Sequence, residues 1–426
     1  SPSNRVSPLG EGSNRSHCAT RQFPLELETT KGLTLRIRSL LVATCLLAAC
    51  GDSTNEAADT TVKSTTTTAS TTTLPPTTTT TTLLPPDGKT SDQRVLSLVQ
   101  KISGDYLQPK SVVYSGDTGL VFAQNMMYRH NVSVFDRYGN LITEIADAVD
   151  LADFGEGIPG RATKVKGSPV EAAFSPNGKF AYVSNYEMYG DGWNPVADDD
   201  CQGRNWDPAY VYRINVKTKK IDQAILVGAV PKFLAVTPNG KRLIVSNFCS
   251  MDVSIVDLKS HKEIKRIQVG THPRGIAITQ DSKTAYIAVM GTAQTVEINL
   301  RDFSTLEIPN AGQTPRHLVL SPDERVLYAT TNKYNTVIAT DTATRTIIGT
   351  VRTGTESRSM VISDDGTALY VVNYVSGTLQ KIRTSDMTVL QTLDTGTRPV
   401  GITYDPELRR VWVANYAGSL WLYDDK

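Results

Sequence analysis

From Arg94 onward the chain is written in short apolar runs, each cut off by Gly, Pro, Asn or Asp. Runs of this length, rich in Val, Ile, Tyr and Phe, predict strands rather than helices. The pattern also repeats. Glycines stand at Gly228, Gly270, Gly312, Gly354 and Gly396, a constant interval of 42 residues, and Gly104 and Gly167 continue the series upstream at longer intervals. After each glycine comes a proline (Pro109, Pro169, Pro231, Pro273, Pro315, Pro399) or, in one unit, Ser357. An apolar run such as "FLAVT" or "HLVLS" follows, then a tight turn such as Ser175-Pro176-Asn177-Gly178 or Thr237-Pro238-Asn239-Gly240. Those residues preset φ or tolerate the left-handed region, as a reversal requires. A second run ("AYVSNY", "LIVSNF", "LYVVNY", "VWVANY") reads as a strand buried on both faces, and two more open strands complete the unit.

Four antiparallel strands in some 42 residues match one blade of a β-propeller, and seven markers predict seven blades. The expected fold is therefore all-β, a seven-bladed β-propeller over residues 92–426. The last unit stops after a third strand at Trp421–Asp425, whereas Arg94–Ser103 precedes Gly104 as fourth strands precede the other markers. This predicts a ring closed by the N-terminal strand completing the last blade, which leaves no open sheet edge. A loose helical start over residues 91–100 is the alternative.

Tyr182-Val183-Ser184-Asn185 and Tyr370-Val371-Val372-Asn373 resemble the YVTN family of β-propeller repeats, with the resemblance covering residues 94–426. Tyr286-Ile287-Ala288-Val289 and Tyr328-Ala329-Thr330-Thr331 depart from the motif. The resemblance implies a propeller and an extracytoplasmic setting, and no single activity.

The first part of the chain follows other rules. Residues 1–30 lack apolar periodicity and are expected to be an upstream extension. Residues 31–49 read as a signal peptide: Lys31, Arg36 and Arg38 precede an apolar run from Ser39 to Ala49, too short for a permanent span of roughly twenty residues. Leu47-Ala48-Ala49-Cys50 followed by Gly51 resembles the lipobox of bacterial lipoproteins, which implies lipidation at Cys50 and a membrane anchor on the outer side of the cytoplasmic membrane. Residues 50–91 are dominated by Thr and Pro and bury too little apolar surface to order, which predicts a flexible tether with a reach of roughly 35 Å.

Lys+Arg 44 against Asp+Glu 43 leaves the chain nearly neutral, so no nucleic-acid partner is expected. The charge is nevertheless placed. The residue after the marker proline is Lys110, Lys232, Arg274, Arg316 or Arg358 in five blades and Val170 or Val400 in the other two. These positions open strand A at the mouth of the central channel. Neighbouring cations about 9 Å apart would repel by roughly 2 kcal/mol each, which calls for a bound anion or for acids such as Glu171, Glu187, Glu356 and Asp198 to Asp200. A carboxylate, phosphate or acidic sugar suits bidentate arginines; a solvated rim or an internal ion-pair network is the alternative. His272, His317, Asn185, Asn247, Asn373 and Asn415 share this face as further candidates, the asparagines also suiting backbone capping.

Two long insertions, residues 146–166 and 187–208, fall on the same face, and loops of such length are usually functional or disordered. Cys201 in the second insertion and Cys249 in the next blade predict a disulfide in an exported protein, with free thiols or a metal pair as alternatives. No catalytic set, metal site or cofactor motif stands out. Gly155-Glu156-Gly157-Ile158-Pro159-Gly160 spells a dinucleotide fingerprint, but Pro159 argues against the helix it needs. The expected function is a monomeric binding module for a protein, a wall polymer or a small anionic ligand. A propeller enzyme (lactonase-, lyase- or quinoprotein-like) and a purely structural envelope protein are the alternatives.

Overall fold

Each predicted unit becomes a four-stranded antiparallel sheet, and seven such sheets make up the domain. The computed structural model describes residues 88–195, 201, 206–309 and 313–426. The expectations for the leader, Cys50 and most of the tether lie outside the described residues, as do Asp198, Asp199 and Asp200. In blade 1 the strands A to D are Ser111–Ser115, Leu120–Asn125, Asn131–Asp136 and Leu141–Ala146. Strand A of every blade packs against strand A of the next, and the circle closes from Pro399–Asp405 of blade 7 onto Ser111–Ser115 of blade 1.

The core lies between blades. Ile244, Ile255, Ile276 and Ile287 fill the seam of blades 3 and 4; Phe122, Val134, Ala172 and Val183 do so between blades 1 and 2. Strand B is the most buried element: Leu369, Tyr370, Val371 and Val372 of blade 6 have no exposure. Both faces of that strand meet a neighbouring blade, which is why its run is apolar without alternation.

The closing strand is Leu96–Ser103, paired antiparallel with Ser419–Asp425 from Leu96 opposite Asp425 to Ser103 opposite Ser419. The helical start shrinks to one 3-10 turn, Ser91–Gln93. The Ser91 and Asp92 amides donate to Asp365 (2.6 Å) and Thr367 (3.1 Å) of blade 6. At the same seam the Lys381 ammonium, with no exposed surface, donates to Asp425 (2.5 Å) and to the Arg94 carbonyl (3.0 Å), and the Tyr370 hydroxyl donates to Asp425. Both ends of the propeller are thus held at one buried polar seam.

The two insertions fold together at blade 2. Ala148–Asp150 pairs with Lys164–Lys166, and the Trp193 indole N–H donates to the Ala162 carbonyl at 3.0 Å. Leu151, Val165, Met188 and Trp193 pack on Tyr210 and Tyr212 of strand C. They share the predicted face, but these described parts cover the flank of blade 2.

Candidate functional site

Strand A carries three of the five predicted cations on a local irregularity that the sequence did not reveal. Its register against strand B slips between Pro169 and Glu171, Pro231 and Phe233, Pro273 and Ile276, Ser357 and Met360, and Pro399 and Gly401. Lys232, Arg274 and Arg358 therefore sit in β-bulges, which add a residue to one strand and re-aim its side chain. The residue before the proline or serine is left-handed in four blades: Val230 (φ 55), His272 (φ 59), Glu356 (φ 58) and Arg398 (φ 58). The carbonyls of these four accept the N–H of Phe248, Met290, Tyr374 and Tyr416, which follow strand B. In these four blades a left-handed residue and a bulge are fixed together by the sheet behind them.

The mouth is layered. In the upper layer Lys110, Lys232, Arg274, Arg316 and Arg358 share one electrostatic field. Burial, followed by Arg274, Lys232, Arg316 and Arg358, drives the Lys110 ammonium well below its ordinary pKa. The next residue along strand A is Glu171, Phe233, His317 or Ser359, with Ser111 in the same position of blade 1. Burial pushes Glu171 up to about 7, against the Ala172 N–H, the Ser111 hydroxyl, Arg274 and Lys110, which all favour its ionised form. Burial, then Arg274 and Arg316, pushes His317 down to about 3, so it is neutral at physiological pH. Phe233 meets the His317 ring edge-on at 5.2 Å. Lys110, Glu171, Arg274 and His317 lie deep in the body yet keep solvent-accessible surface, as groups lining a channel do. Two more residues along, by the period of two, come Val113, Ala173, Ala235, Val319 and Val361. A charged mouth thus stands over an apolar neck.

Aromatic rings flank the cations, and sequence reading missed them. The Lys110 ammonium lies 5.0 Å from the Tyr416 ring centroid, Lys232 lies 3.8 Å from Phe248 and 5.2 Å from Tyr186, and the Arg358 guanidinium lies 3.4 Å from Tyr374. Such contacts favour a cation in a desolvated setting. The signal was present: the residue after the end of strand B is Met126, Tyr186, Phe248, Met290, Tyr374 or Tyr416 in six units. Arg358 also pairs with Glu356 at 3.0 Å, one of the acids expected to compensate the ring.

Other candidates are placed elsewhere. Asn185, Asn247, Asn373 and Asn415 have no exposed surface, which removes them from ligand contact. Asn185 accepts from the Ser168 amide and donates to the Tyr210 carbonyl; Asn247 bonds Asp252 and Ser254. They hold the connections beneath the mouth. His272 stacks on Phe248 at 4.4 Å on the rim, whereas His130 bonds the Gly167 carbonyl (2.7 Å) at blade 1. Cys201 and Cys249 form the expected disulfide, packed with Met126, Tyr186 and Phe248, so it ties the described end of the insertion to the rim.

Among the described residues no group of three His, Cys, Asp or Glu side chains is arranged to hold a metal ion, and no helix is long and apolar enough to cross a membrane. The fingerprint-like glycines follow a 3-10 turn, Leu151–Phe154, without the strand and helix that dinucleotide binding needs. A groove of about 1370 Å³ opens on the opposite face between blades 5 and 6, lined by Asp323, Asp365 and Asp386. Those carboxylates are engaged by Ser321, Ser363 and Arg383 in their own turns.

No protein-family model matches the chain, and no curated protein matches it. Among solved structures, hydrazine synthase of Kuenenia stuttgartiensis is similar with a TM-score of 0.58 and 17% identity, covering 74% of this chain and 95% of that one. At that identity the likeness is one of fold alone; this chain is a seven-bladed β-propeller, stapled by a disulfide, with a cationic axial mouth.

Proposed function

We propose that the protein is a binding propeller that captures an anionic small molecule, or the acidic group of a polymer or protein partner, at the axial mouth. One observation carries this reading: cations from five blades lie within one another's field, so that burial first and then the other four depress Lys110. Like charges gathered at one mouth raise the local concentration of anions there. The YVTN-like strand-B segments and the lipobox-like Cys50 support placing it in the bacterial envelope as a lipid-anchored, monomeric repeat protein, a setting that also suits the disulfide.

The test is a low-salt thermal-shift screen of the purified protein against carboxylates, inorganic phosphate, sulfate and sugar acids. An Arg274→Ala/Arg316→Ala variant runs beside it. A ligand at 100 times its dissociation constant adds about 2.7 kcal/mol. The expected result is a shift for one anion class that disappears in the variant. No shift for any anion removes this reading and favours the purely structural one. An enzyme is the second reading, favoured by Glu171 at about 7, near the optimum for general acid–base work. Turnover of a captured anion that Glu171→Gln abolishes would establish it.

A further inference from the structure

We propose that the rim of the mouth from blade 5 round to blade 1 binds an acidic polysaccharide, whose sugar rings lie on exposed tyrosines and whose carboxylates meet the cations between them. The proposal rests on the reading of the mouth as an anion site and deepens it by naming the class of polymer.

The rim is made of the loops joining strand B to strand C and of the connections between blades. Toward blades 2 and 3 it is closed by packing, where Tyr186 and Phe248 lie against the Cys201–Cys249 disulfide. From blade 5 to blade 1 it is open. Loops 332–335, 374–377, 416–418 and 126–130 place Tyr334, Tyr374, Tyr416 and Tyr128 there. The two most exposed large apolar side chains among the described residues both stand on this arc, Tyr128 at 78% and Val375 at 60%. Hydrogen bonds make the arc continuous. The Glu356 amide donates to Asn335 (2.7 Å), the Thr355 amide to Ser376 (2.7 Å), the Tyr416 amide to the Arg398 carbonyl (2.9 Å) and the Gln108 amide to Asn125 (2.9 Å). Each ring has a cation near it. Lys333 lies 6.0 Å from the Tyr334 ring centroid, Arg358 and Arg398 lie 3.4 and 6.0 Å from that of Tyr374, and Lys110 lies 5.0 Å from that of Tyr416. Arg129 follows Tyr128 in the chain. Loop 126–130 is one residue longer than its equivalents in blades 3 to 6, and it holds Tyr128 (φ 61) and His130 (φ 51) in the left-handed region. A tyrosine there is disfavoured, and such residues gather where a surface binds.

Charge sets the sign of the partner. The loops and connections of the arc (104–110, 126–130, 332–335, 353–358, 374–377, 395–400 and 416–418) carry Lys110, Arg129, Lys333, Arg358 and Arg398 against Asp105 and Glu356. Glu356 is engaged by Arg358, while Arg129, Lys333 and Arg398 are exposed. The amides of Thr355, Glu356, Tyr374 and Tyr416 are already engaged within the protein, which disfavours a partner held through its main chain. A sugar acid needs no such partner. Its apolar C–H face covers an aromatic ring, its hydroxyls pair with the phenol, and its carboxylate takes a guanidinium or ammonium. A chain of such sugars repeats ring and charge, as the arc repeats tyrosine and cation from blade to blade.

The experiment is isothermal titration, at low ionic strength, of oligogalacturonate, monomeric galacturonate, neutral maltohexaose and sulfate into the purified protein. Oligothymidylate and poly-glutamate are titrated beside them as other anionic polymers. The expected result is that oligogalacturonate binds tightest, exceeding the monomer by about tenfold or more because several ring-and-cation steps act together. Tyr128→Ala/Tyr334→Ala is expected to weaken the oligomer by about tenfold and to leave the monomer unchanged. Its melting temperature should match wild type, since both side chains are exposed. Arg129→Ala/Lys333→Ala is expected to act in the same direction. An oligomer that binds no tighter than the monomer, or that is untouched by the tyrosine variant, overturns the arc and leaves the anion site at the mouth standing. Equal binding of maltohexaose overturns the role of charge, and equal or tighter binding of oligothymidylate or poly-glutamate overturns the saccharide. Binding of sulfate without either galacturonate overturns this proposal alone; failure of every anion removes the anion site and the arc with it.

Discussion

Two buried lysines show how differently this ring treats charge. Lys381, at the closing seam, has no exposed surface and is met by Asp425 at 2.5 Å and by the Arg94 carbonyl at 3.0 Å. Lys110, at the mouth, is surrounded by four further cations. The first is a finished interaction, with its counter-charge supplied by the strand on which the closing strand pairs. The second leaves like charges facing one another, relieved within the protein by Glu171 and at the rim by Glu356 on Arg358. A seam must be complete for the chain to fold, whereas the mouth gathers like charges from five blades.

Breaking the finished pair should have the largest effect. Asp425→Ala leaves the Lys381 ammonium buried without its carboxylate, a loss of about 3–5 kcal/mol, read as a lower midpoint in urea unfolding. Replacing both partners (Lys381→Met with Asp425→Leu) is expected to recover most of it, because two well-packed apolar groups carry no desolvation penalty. Failure of the double variant to recover would mean that the network positions the closing strand as well as neutralising charge.

Next in size is the staple at the rim. Cys201 and Cys249 are 48 residues apart in sequence, and opening a loop of that length costs up to about 4 kcal/mol on the chain-entropy account. Cys201→Ala/Cys249→Ala is expected to lower the melting temperature, with reducing agent reproducing the loss in wild type and leaving the variant unchanged.

At the mouth the sign reverses. Arg274→Met/Arg316→Met removes two mutually repelling cations and is expected to raise the stability of the free protein by about 1–2 kcal/mol at low ionic strength. Added salt should shrink that gain. Asp425→Ala should keep its deficit in salt, since the seam is dry. A loss of stability in the arginine variant would show that the ring is internally compensated and would weaken its reading as a binding site.

The periodic parts of this design were legible and the local ones were not. The glycine interval and the uninterrupted apolarity of strand B located the blades, because a buried strand needs the same residues wherever it recurs. Ring closure followed from counting strands. The cations at Lys110, Lys232, Arg274, Arg316 and Arg358 were visible as a column in the repeat, but not the bulges that aim several of them, since register slips leave no residue signature in Lys or Arg. Asn185 and its equivalents shared that column face and yet are buried: period gives the end of the sheet, not the depth. The aromatics beside the cations were hidden because Tyr186, Phe248, Tyr374 and Tyr416 read as the tails of strand B. The weight of Glu171 emerged only when the fold buried it within reach of Arg274 and Lys110.

The smallest net effect concerns two groups of the mouth whose titrations oppose and largely cancel each other. Glu171 is raised from 4.5 to about 7, so the folded state holds its proton more tightly than the unfolded chain. Its contribution is fully present below about 4.5 and is lost as pH rises through about 7, by at most about 3 kcal/mol. His317 is lowered from 6.5 to about 3, so the unfolded chain takes up its proton first and stability is lost as pH falls below about 6.5. Between about pH 4.5 and about pH 6.5 the two slopes oppose each other and largely cancel. Glu171→Gln should expose the histidine slope, giving a protein whose stability rises with pH across that window, and His317→Asn should expose the opposite one. Urea midpoints at four or five pH values would read both. Parallel profiles for wild type and the two variants would mean that neither group is held in the unusual ionisation state that the crowded, cationic mouth imposes on it.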